Sequence, residues 1–281
     1  MPYCGLFPSV RRQERHFMKK ILYINQEIAP YLPETEMSLL GRDLPQQMQE
    51  QGNEIRTFMP KWGTINERRG QLHEVIRLSG MNLIVNDTDH PLIIKVASIP
   101  TSRLQVYFID NDEYFAKQRG QAVPDIADNV DNGERAIFFA RGVLETVKKL
   151  RWTPDIIHCN GWMAAIVPYY LKTAYKDEPA FANAKVVTTL FEDGLKEEVG
   201  SNFINLIDFK GGKKKALDAY QQPFDGKLLE RLAIDFSDAI VCTGKTASSQ
   251  QGKYAKATGK PLLKSGNADL AENLASFYET I

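Results

Sequence analysis

Cysteine is scarce, with Cys4, Cys159 and Cys242 the only three in 281 residues. That is too few for a disulfide framework. Cys159 and Cys242 end the apolar runs DIIHC and AIVC, where a reduced thiol serves as a small hydrophobe. Histidine is nearly as rare. His16, His73, His90 and His158 show no metal-ligand spacing, so no metal is expected. Neither sign of charge is in excess: thirty-five Lys and Arg balance thirty-five Asp and Glu, leaving no global field to draw the chain to nucleic acid or a membrane surface. No apolar run approaches the roughly 20 residues that cross a bilayer. The opening MPYCGLFPSVRRQERHF has no long apolar core and no small-residue cleavage site, which argues against a secretory signal. Residues 1–18 read as a disordered tail or a start-site artefact, and 19–281 as one domain working in the cytoplasm. There is no internal repeat and no low-complexity linker. Glycine is also missing where a dinucleotide would need it, since the first strand runs into QEIAPYLPETE, so a classical NAD fingerprint is excluded and no cofactor is expected.

What is present is a rhythm of strands and helices. KILYIN (Lys20 to Asn25) is a short apolar run suited to a buried strand. Met37, Leu40, Leu44 and Met48 follow at helical spacing, with Gly52 placed to end the helix and Pro45 predicting a kink or a helix start near it. EIRTFM (Glu54 to Met59) is the next strand, and strand, helix, strand opens a right-handed βαβ unit. Gln71 to Leu78 and Met81 to Pro100 are β-rich around the turn-forming NDTDHP, which predicts a hairpin excursion near 81–100. Leu104 to Ile109 returns to a buried strand, and the polar stretch Phe115 to Val130 reads as a surface loop. Asp131 and Glu134 fit a capping box opening a helix whose stripe is Ile137, Ala140, Leu144, Val147 and Leu150. Strands at 155–159, 185–190 and 239–242, a helix running through about Ala174, and helices from about Lys227 and about Ala268 complete the pattern. The fold class is α/β, a doubly wound, mainly parallel Rossmann-like sheet. Ligands of such sheets bind at the carboxyl ends of the strands, which directs attention to Gln26 to Glu36, Met59 to Gly63, Asn160 to Trp162 and Phe191 to Gly194.

Two motifs have plain explanations. VCTGKT (Val241 to Thr246) imitates the end of a phosphate-binding loop but lacks the upstream glycine, so a strand-to-helix turn capped by Thr246 or Thr243 explains it better. KGGKKK (Lys210 to Lys215) offers lysines and glycines to a phosphate but reads better as a solvated loop, and without interleaved aromatics it is no nucleic-acid signature.

Three stretches carry a family resemblance. EIAPYLPETEMSLLGRDLPQQMQEQGNEIRTFMPKWG (Glu27 to Gly63) resembles the opening of bacterial glycogen and starch synthases, glycosyltransferase family 5. DNGERAIFFARGVLE (Asp131 to Glu145) is similar to that family's DN-x-x-R-F-x-x-F helix, and WTPDIIHCNGWMAAIVPYYLK (Trp152 to Lys172) to its W-x-P-D-I-x-H-x-H-D-W stretch. The resemblance runs from about Lys19 to about Ala255 and covers the amino-terminal half of a GT-B enzyme. It implies that the nucleotide pocket of the family's carboxyl-terminal half is not among these residues.

The departures are as informative. In the family's donor loop, E-x-A-P-x-x-K-x-G-G-L-G-D, the Lys and paired glycines face the diphosphate of ADP-glucose. Here Pro33 stands at the Lys position and Thr35-Glu36 at the glycines, so a cation is lost and the carboxylates of Glu34 and Glu36 are gained. H-x-H-D-W keeps His158 and Trp162, but its second His and its Asp are Asn160 and Gly161; Asn160 is better explained as the cap of the following helix than as a catalytic group. The family's T-x-H-N is Thr189-Leu190-Phe191-Glu192, again without the His. By resemblance, Asp131, Asn160 and His158 are the candidate catalytic residues, and Trp62, Asp131, Asn132, Arg135 and Trp162 the candidate substrate-binding ones. For Asp131 a helix cap, and for Arg135 a buried ion pair, are equally good accounts. Tyr107 and Tyr114 join Trp62 as aromatics that either stack a sugar or pack the core. The expected ligands are an α-glucan or ADP-glucose, and the expected protein partner would sit on the face left by the missing half. Together these readings give a glycogen/starch synthase-like domain that is catalytically degenerate as a standalone chain and acts in glucan or partner binding. The alternative is a glucosyltransferase moving glucose from ADP-glucose to an α-1,4-glucan with a separate partner chain.

Overall fold

The computed structural model describes residues 18–100, 102–116, 132–192, 194–195, 198–200, 202–208, 216–220 and 224–281. In chain order the elements are β1 (Lys20–Asn25), α1 (Glu36–Glu50), β2 (Glu54–Pro60), α2 (Glu67–Gly70), β3 (His73–Glu74), β4 (Met81–Val85), β5 (Thr88–Ser98), β6 (Gln105–Asp110), α3 (Asp112–Phe115), α4 (Asn132–Lys149), β7 (Ile156–Asn160), α5 (Val167–Lys172), β8 (Lys185–Leu190), α6 (Phe203–Leu206), α7 (Gly226–Phe236), β9 (Ala239–Thr243), α8 (Gln250–Ala257), β10 (Leu262–Ser265) and α9 (Leu270–Tyr278). The sheet order is β10-β9-β8-β7-β1-β2-β6-β5-β3, with β4 paired to β5. Every pair from β10 to β6 is parallel, and β5 turns antiparallel against β6. The doubly wound α/β class expected from the sequence is thus observed.

Period-two alternation along β1 explains the two covered faces. Ile21 and Tyr23 pack with Met37, Leu40 and Leu44 of α1 and Leu270 and Leu274 of α9. Leu22 and Ile24 point to the other side, into the larger core with Ile137, Val143 and Leu229. The loops at the carboxyl ends of β1, β2, β7, β8 and β9 are thereby gathered along one edge of the two layers. The last helix returns to the first strand: Tyr23 and Tyr278 are joined through their hydroxyls at 3.2 Å, and Lys19 meets Glu279 at 3.4 Å.

Local chemistry matches most of the expected elements. Thr35 caps α1 in a capping box with Ser38, and the helix ends at Gln51 just before Gly52 at φ 93°. α1 starts at Glu36 and its helical assignment continues through Pro45, so a start near Pro45 is corrected. The hairpin of β4 and β5 turns on Asn86 and Asp87, both left-handed at φ 51° and 58°, as a two-residue hairpin turn requires. The rest of NDTDHP belongs to β5, where Pro91 faces Asn82.

Several expectations change. Of Gln71 to Leu78 only His73–Glu74 is strand. Phe115 ends α3 and is 1% exposed, so it is core and not the start of a surface loop. Residues 117–131, with the Asp131 cap, lie outside the described residues, as do 1–17 of the expected tail and the KGGKKK segment. The helix after β7 is split into a single 3-10 turn at Trp162–Ala164 and α5. After VCTGKT the helix cap is Ser249, which accepts from the Gly252 amide at 3.0 Å, while Thr246 donates to the Thr243 carbonyl at 2.6 Å.

Candidate functional site

β1 and β7 end in a buried polar pair that reaches Thr57 in the middle of β2. Asn160 Nδ2 donates to Asn25 Oδ1 at 2.7 Å, and Asn25 Nδ2 donates to Thr57 Oγ1 at 2.8 Å. All three residues are essentially without solvent exposure. Among the described residues, Asn160 Oδ1 finds no partner. The 3-10 turn that follows begins after Gly161 with no side-chain cap, so Asn160 is corrected from helix cap to interstrand bridge.

Gln26 ties the neighbouring loops together. Its carbonyl accepts from Trp62 Nε1 at 2.9 Å, and its Oε1 accepts from the Trp162 amide at 3.1 Å. That closeness explains Gly161. Its φ is 84°, and a Cβ there would sit 2.7 Å from Gln26 Cβ and 2.8 Å from Met37 Sδ. The position where the family resemblance carries Asp has no room for a side chain.

Of the candidate substrate-binding residues, Trp62, Asn132, Arg135 and Trp162 are all buried. The Arg135 guanidinium lies 5.1 Å from the centre of the Trp62 ring, and Phe115 meets that ring edge-on at 5.5 Å. Arg135 Nε donates to the Tyr114 carbonyl at 2.7 Å and Nη1 to Asn132 Oδ1 at 3.3 Å. The structure brings these residues together as packing, with Trp62 fully buried. Tyr107 and Tyr114, both 7% exposed, are likewise core. Asp131 lies outside the described residues.

His158 is placed away from the strand ends. It is 0% exposed, stacks on Tyr23 at 5.4 Å, and has both ring nitrogens engaged, Nδ1 by the Tyr278 hydroxyl and Nε2 by Thr189 Oγ1 at 2.5 Å. Burial pushes its pKa down to about 3, so it is neutral at physiological pH. A neutral imidazole sealed under α9 is a core group.

The start of α1, where the resemblance would put the donor diphosphate, is acidic and self-capped. Thr35 Oγ1 accepts from the Ser38 amide at 3.0 Å and donates to Glu27 Oε2 at 2.8 Å. Glu34 is exposed beside it. Glu36 Oε1 accepts from Asn267 Nδ2 at 3.1 Å, and Glu192 Oε1 accepts from the Lys245 amide at 2.8 Å. Carboxylates stand where an anion would otherwise use the helix N-terminus.

The open volume is next door. A cavity of about 770 Å³ lies at the carboxyl ends of β8 and β9, between Phe191 and Gly194 on one side and the first turns of α7 and α8 on the other. Glu230 of α7 faces it, its carboxyl pushed up to about 7, first by burial and then by the Asp225 carboxylate. A slot of about 20 Å³ shares Phe191, Gly194 and Glu230 with the cavity and reaches Gly161 and Trp162. The sequence reading marked Phe191 to Gly194 but missed Glu230; the signal available was an acid set among the leucines of LLERL. Among the described residues there is no group of His, Cys, Asp or Glu able to hold a metal, and no helix long and apolar enough to cross a membrane.

Comparison with known proteins gives a consistent picture. The family described as the starch synthase catalytic domain matches residues 20–253. The chain is 40% identical over 198 residues to the glycogen synthase of Chlorobium limicola, covering 65% of this chain and 40% of that protein. It is 35% identical over 210 residues to the glycogen synthase of Chlorobaculum tepidum, covering 70% of this chain and 43% of that protein. The chain therefore spans less than half the length of these curated relatives. Among solved structures, the catalytic domain of starch synthase IV from Arabidopsis thaliana, bound to ADP and acarbose, superposes with a TM-score of 0.70 at 18% identity, over 88% of this chain and 51% of that one. That likeness establishes a shared fold.

Proposed function

The chain belongs to the starch synthase catalytic domain family, and on that premise we propose that this domain is a cytoplasmic α-glucan-binding module that does not by itself transfer glucose from a nucleotide donor. The observation that carries this reading is the start of α1. Its cap is filled by Thr35, and the side chains of Glu34 and Glu36 oppose the diphosphate that the family's Lys and glycines would welcome. Retaining glucosyl transfer depends on cations that stabilise the leaving diphosphate, and this loop offers none. His158, neutral and buried, offers no positive charge to a leaving diphosphate.

Glucosyl transfer to glycogen from ADP-glucose or UDP-glucose tests the proposal, followed over hours at high protein concentration. No turnover is expected, together with co-sedimentation of the chain with glycogen. Turnover abolished by Asp131→Ala would overturn it.

The second reading, a glucosyltransferase completed by a separate partner chain, is favoured by one observation: Asn132 and Arg135 of the family motif are retained and hydrogen-bonded to one another. Against it, the large apolar side chains exposed among the described residues, Met18, Ile76 and Ile84, lie on β1's entry, the turn after β3 and the hairpin. None lies on the loops a second half would cover. Transfer that appears only when a carboxyl-terminal half of a glycogen synthase is added would favour this second reading.

A further inference from the structure

His90 is buried away from the candidate site, where the hairpin, α3 and α4 meet. It stands on β5 opposite Leu83 of β4. Its ring centre is 4.7 Å from that of Tyr114 on α3 and 6.4 Å from that of Phe138 on α4. Both ring nitrogens belong to a chain of four side chains. Nδ1 donates to Glu113 Oε2 at 2.6 Å, and Nε2 meets the Tyr114 hydroxyl at 3.1 Å. That hydroxyl in turn donates to Glu134 Oε2 at 3.1 Å. The second oxygen of Glu134 accepts from Asn86 Nδ2 at 3.0 Å, in the turn between β4 and β5. The chain therefore ties β5 to α3, α3 to α4, and α4 back to the hairpin.

Three hydrogen bonds in a row, from Glu113 through His90 and Tyr114 to Glu134, need three protons. Ionised carboxylates only accept, a phenol brings one proton and a neutral imidazole brings one. The chain is one proton short. With the Tyr114 proton directed at Glu134, both nitrogens of His90 have to donate, as they do only in an imidazolium. We propose that these four residues form a proton-binding site, a latch that closes when the chain takes up its third proton. The imidazole is the member that accepts it most readily. The local charges favour that uptake. Asp89 lies beside His90 on β5, Asp87 in the hairpin turn, Asp112 and Glu113 on α3, and Glu134 and Arg135 at the start of α4. Arg135 turns its Nε to the Tyr114 carbonyl, and Arg141 holds the Ile84 carbonyl. Lys95, further along β5, is paired with Asp110 of β6 at 2.7 Å. When the third proton leaves, the Tyr114 hydroxyl serves either His90 or Glu134, and one bond of the latch opens. The turn that carries Asn132 and Arg135 is thus held more or less firmly according to pH.

Nitrogen-15 NMR of the full chain labelled at histidine tests the assignment, with pH raised from about 5 to about 9 across the ordinary imidazole range. The signal missing from His90→Gln identifies His90. In the wild type, His90 is expected to show two protonated nitrogens at the acid end and a single neutral tautomer at the alkaline end. Tyr114→Phe keeps the ring and removes the central hydroxyl. The bond to Glu113 then needs one proton only, and a second N–H would be buried without an acceptor. This variant, checked as folded by thermal melts, is expected to release the second proton about one pH unit lower, a tenfold loss of proton affinity. A wild-type His90 that remains a single neutral tautomer down to about pH 5 in the folded chain would overturn the proposal, whether or not the variant folds. Equal proton affinity in the wild type and Tyr114→Phe would also overturn it, leaving a plain ion pair between His90 and Glu113.

Discussion

The hydroxyl of Tyr278 and the imidazole Nδ1 of His158 are hydrogen-bonded across 120 residues of sequence. The bond turns a histidine of a catalytic-looking motif into a structural group. The same phenol is joined to Tyr23 of the central strand, so α9 closes the face of the sheet that α1 leaves open.

Replacing Tyr278 with Phe keeps the ring and leaves a fully buried nitrogen without its partner. The expected loss is about 1–3 kcal/mol of unfolding free energy, read from urea denaturation. A variant as stable as wild type would mean that α9 holds His158 by packing alone.

The depressed pKa of His158 sets an acid limit. In the folded chain it stays neutral down to about 3, whereas in the unfolded chain it takes up a proton near 6.5. Between those values the unfolded state binds more protons, so stability is fully present above 6.5 and falls as pH drops through the window, by about 1.4 kcal/mol per unit. Stability measured against pH for wild type and His158→Gln checks this: the variant's curve should be flatter between pH 4 and 6.

Glu230 acts in the opposite sense. Its folded pKa of about 7 exceeds the usual 4.5, so the native state holds the proton more tightly and stability declines as pH rises from 4.5 through 7. Thermal melts of Glu230→Gln should lose that decline, and the gap between variant and wild type should widen in the variant's favour toward pH 8. A pH-independent gap would show that burial does not hold the proton.

Restoring the family's residues one at a time should fail. Gly161→Asp meets Gln26 and Met37 and a left-handed backbone, and is expected to destabilise by roughly 1–3 kcal/mol. Asn160→His overfills the space between Asn25 and its neighbours, at about 1–3 kcal/mol. Neither should create glucosyl transfer from ADP-glucose. Measurable turnover by either single variant would refute the view that the donor loop limits this domain.

The sheet was legible because its strands are short apolar runs at βαβ spacing, and KILYIN, DIIHC and KVVTTL need no tertiary information to be read as buried strands. β10 was not, because LLKS is a half-buried edge strand with a lysine in it, a pattern that reads as loop. The site was less legible for a different reason. Asn160, His158 and Trp62 were chosen by motif, yet what each does depends on partners in other strands and in α9, such as Asn25, Tyr278 and Gln26. Residue type and spacing do not say whether a side chain faces a groove or a neighbouring strand. Glu230 is not legible in the sequence because its raised pKa arises from burial beside Asp225, a property of the assembled cavity.

The Tyr23–Tyr278 bond spans 255 residues, so its two halves are made far apart in time. At about 5–20 residues per second, the ribosome needs roughly 13–50 s to travel from one to the other. Throughout that interval the side of the central strand that carries Tyr23, and later His158 beside it, has only the part of its cover that α1 supplies. Completion of this face is therefore timed by translation, and the nascent chain offers an apolar surface to chaperones until the last helix emerges.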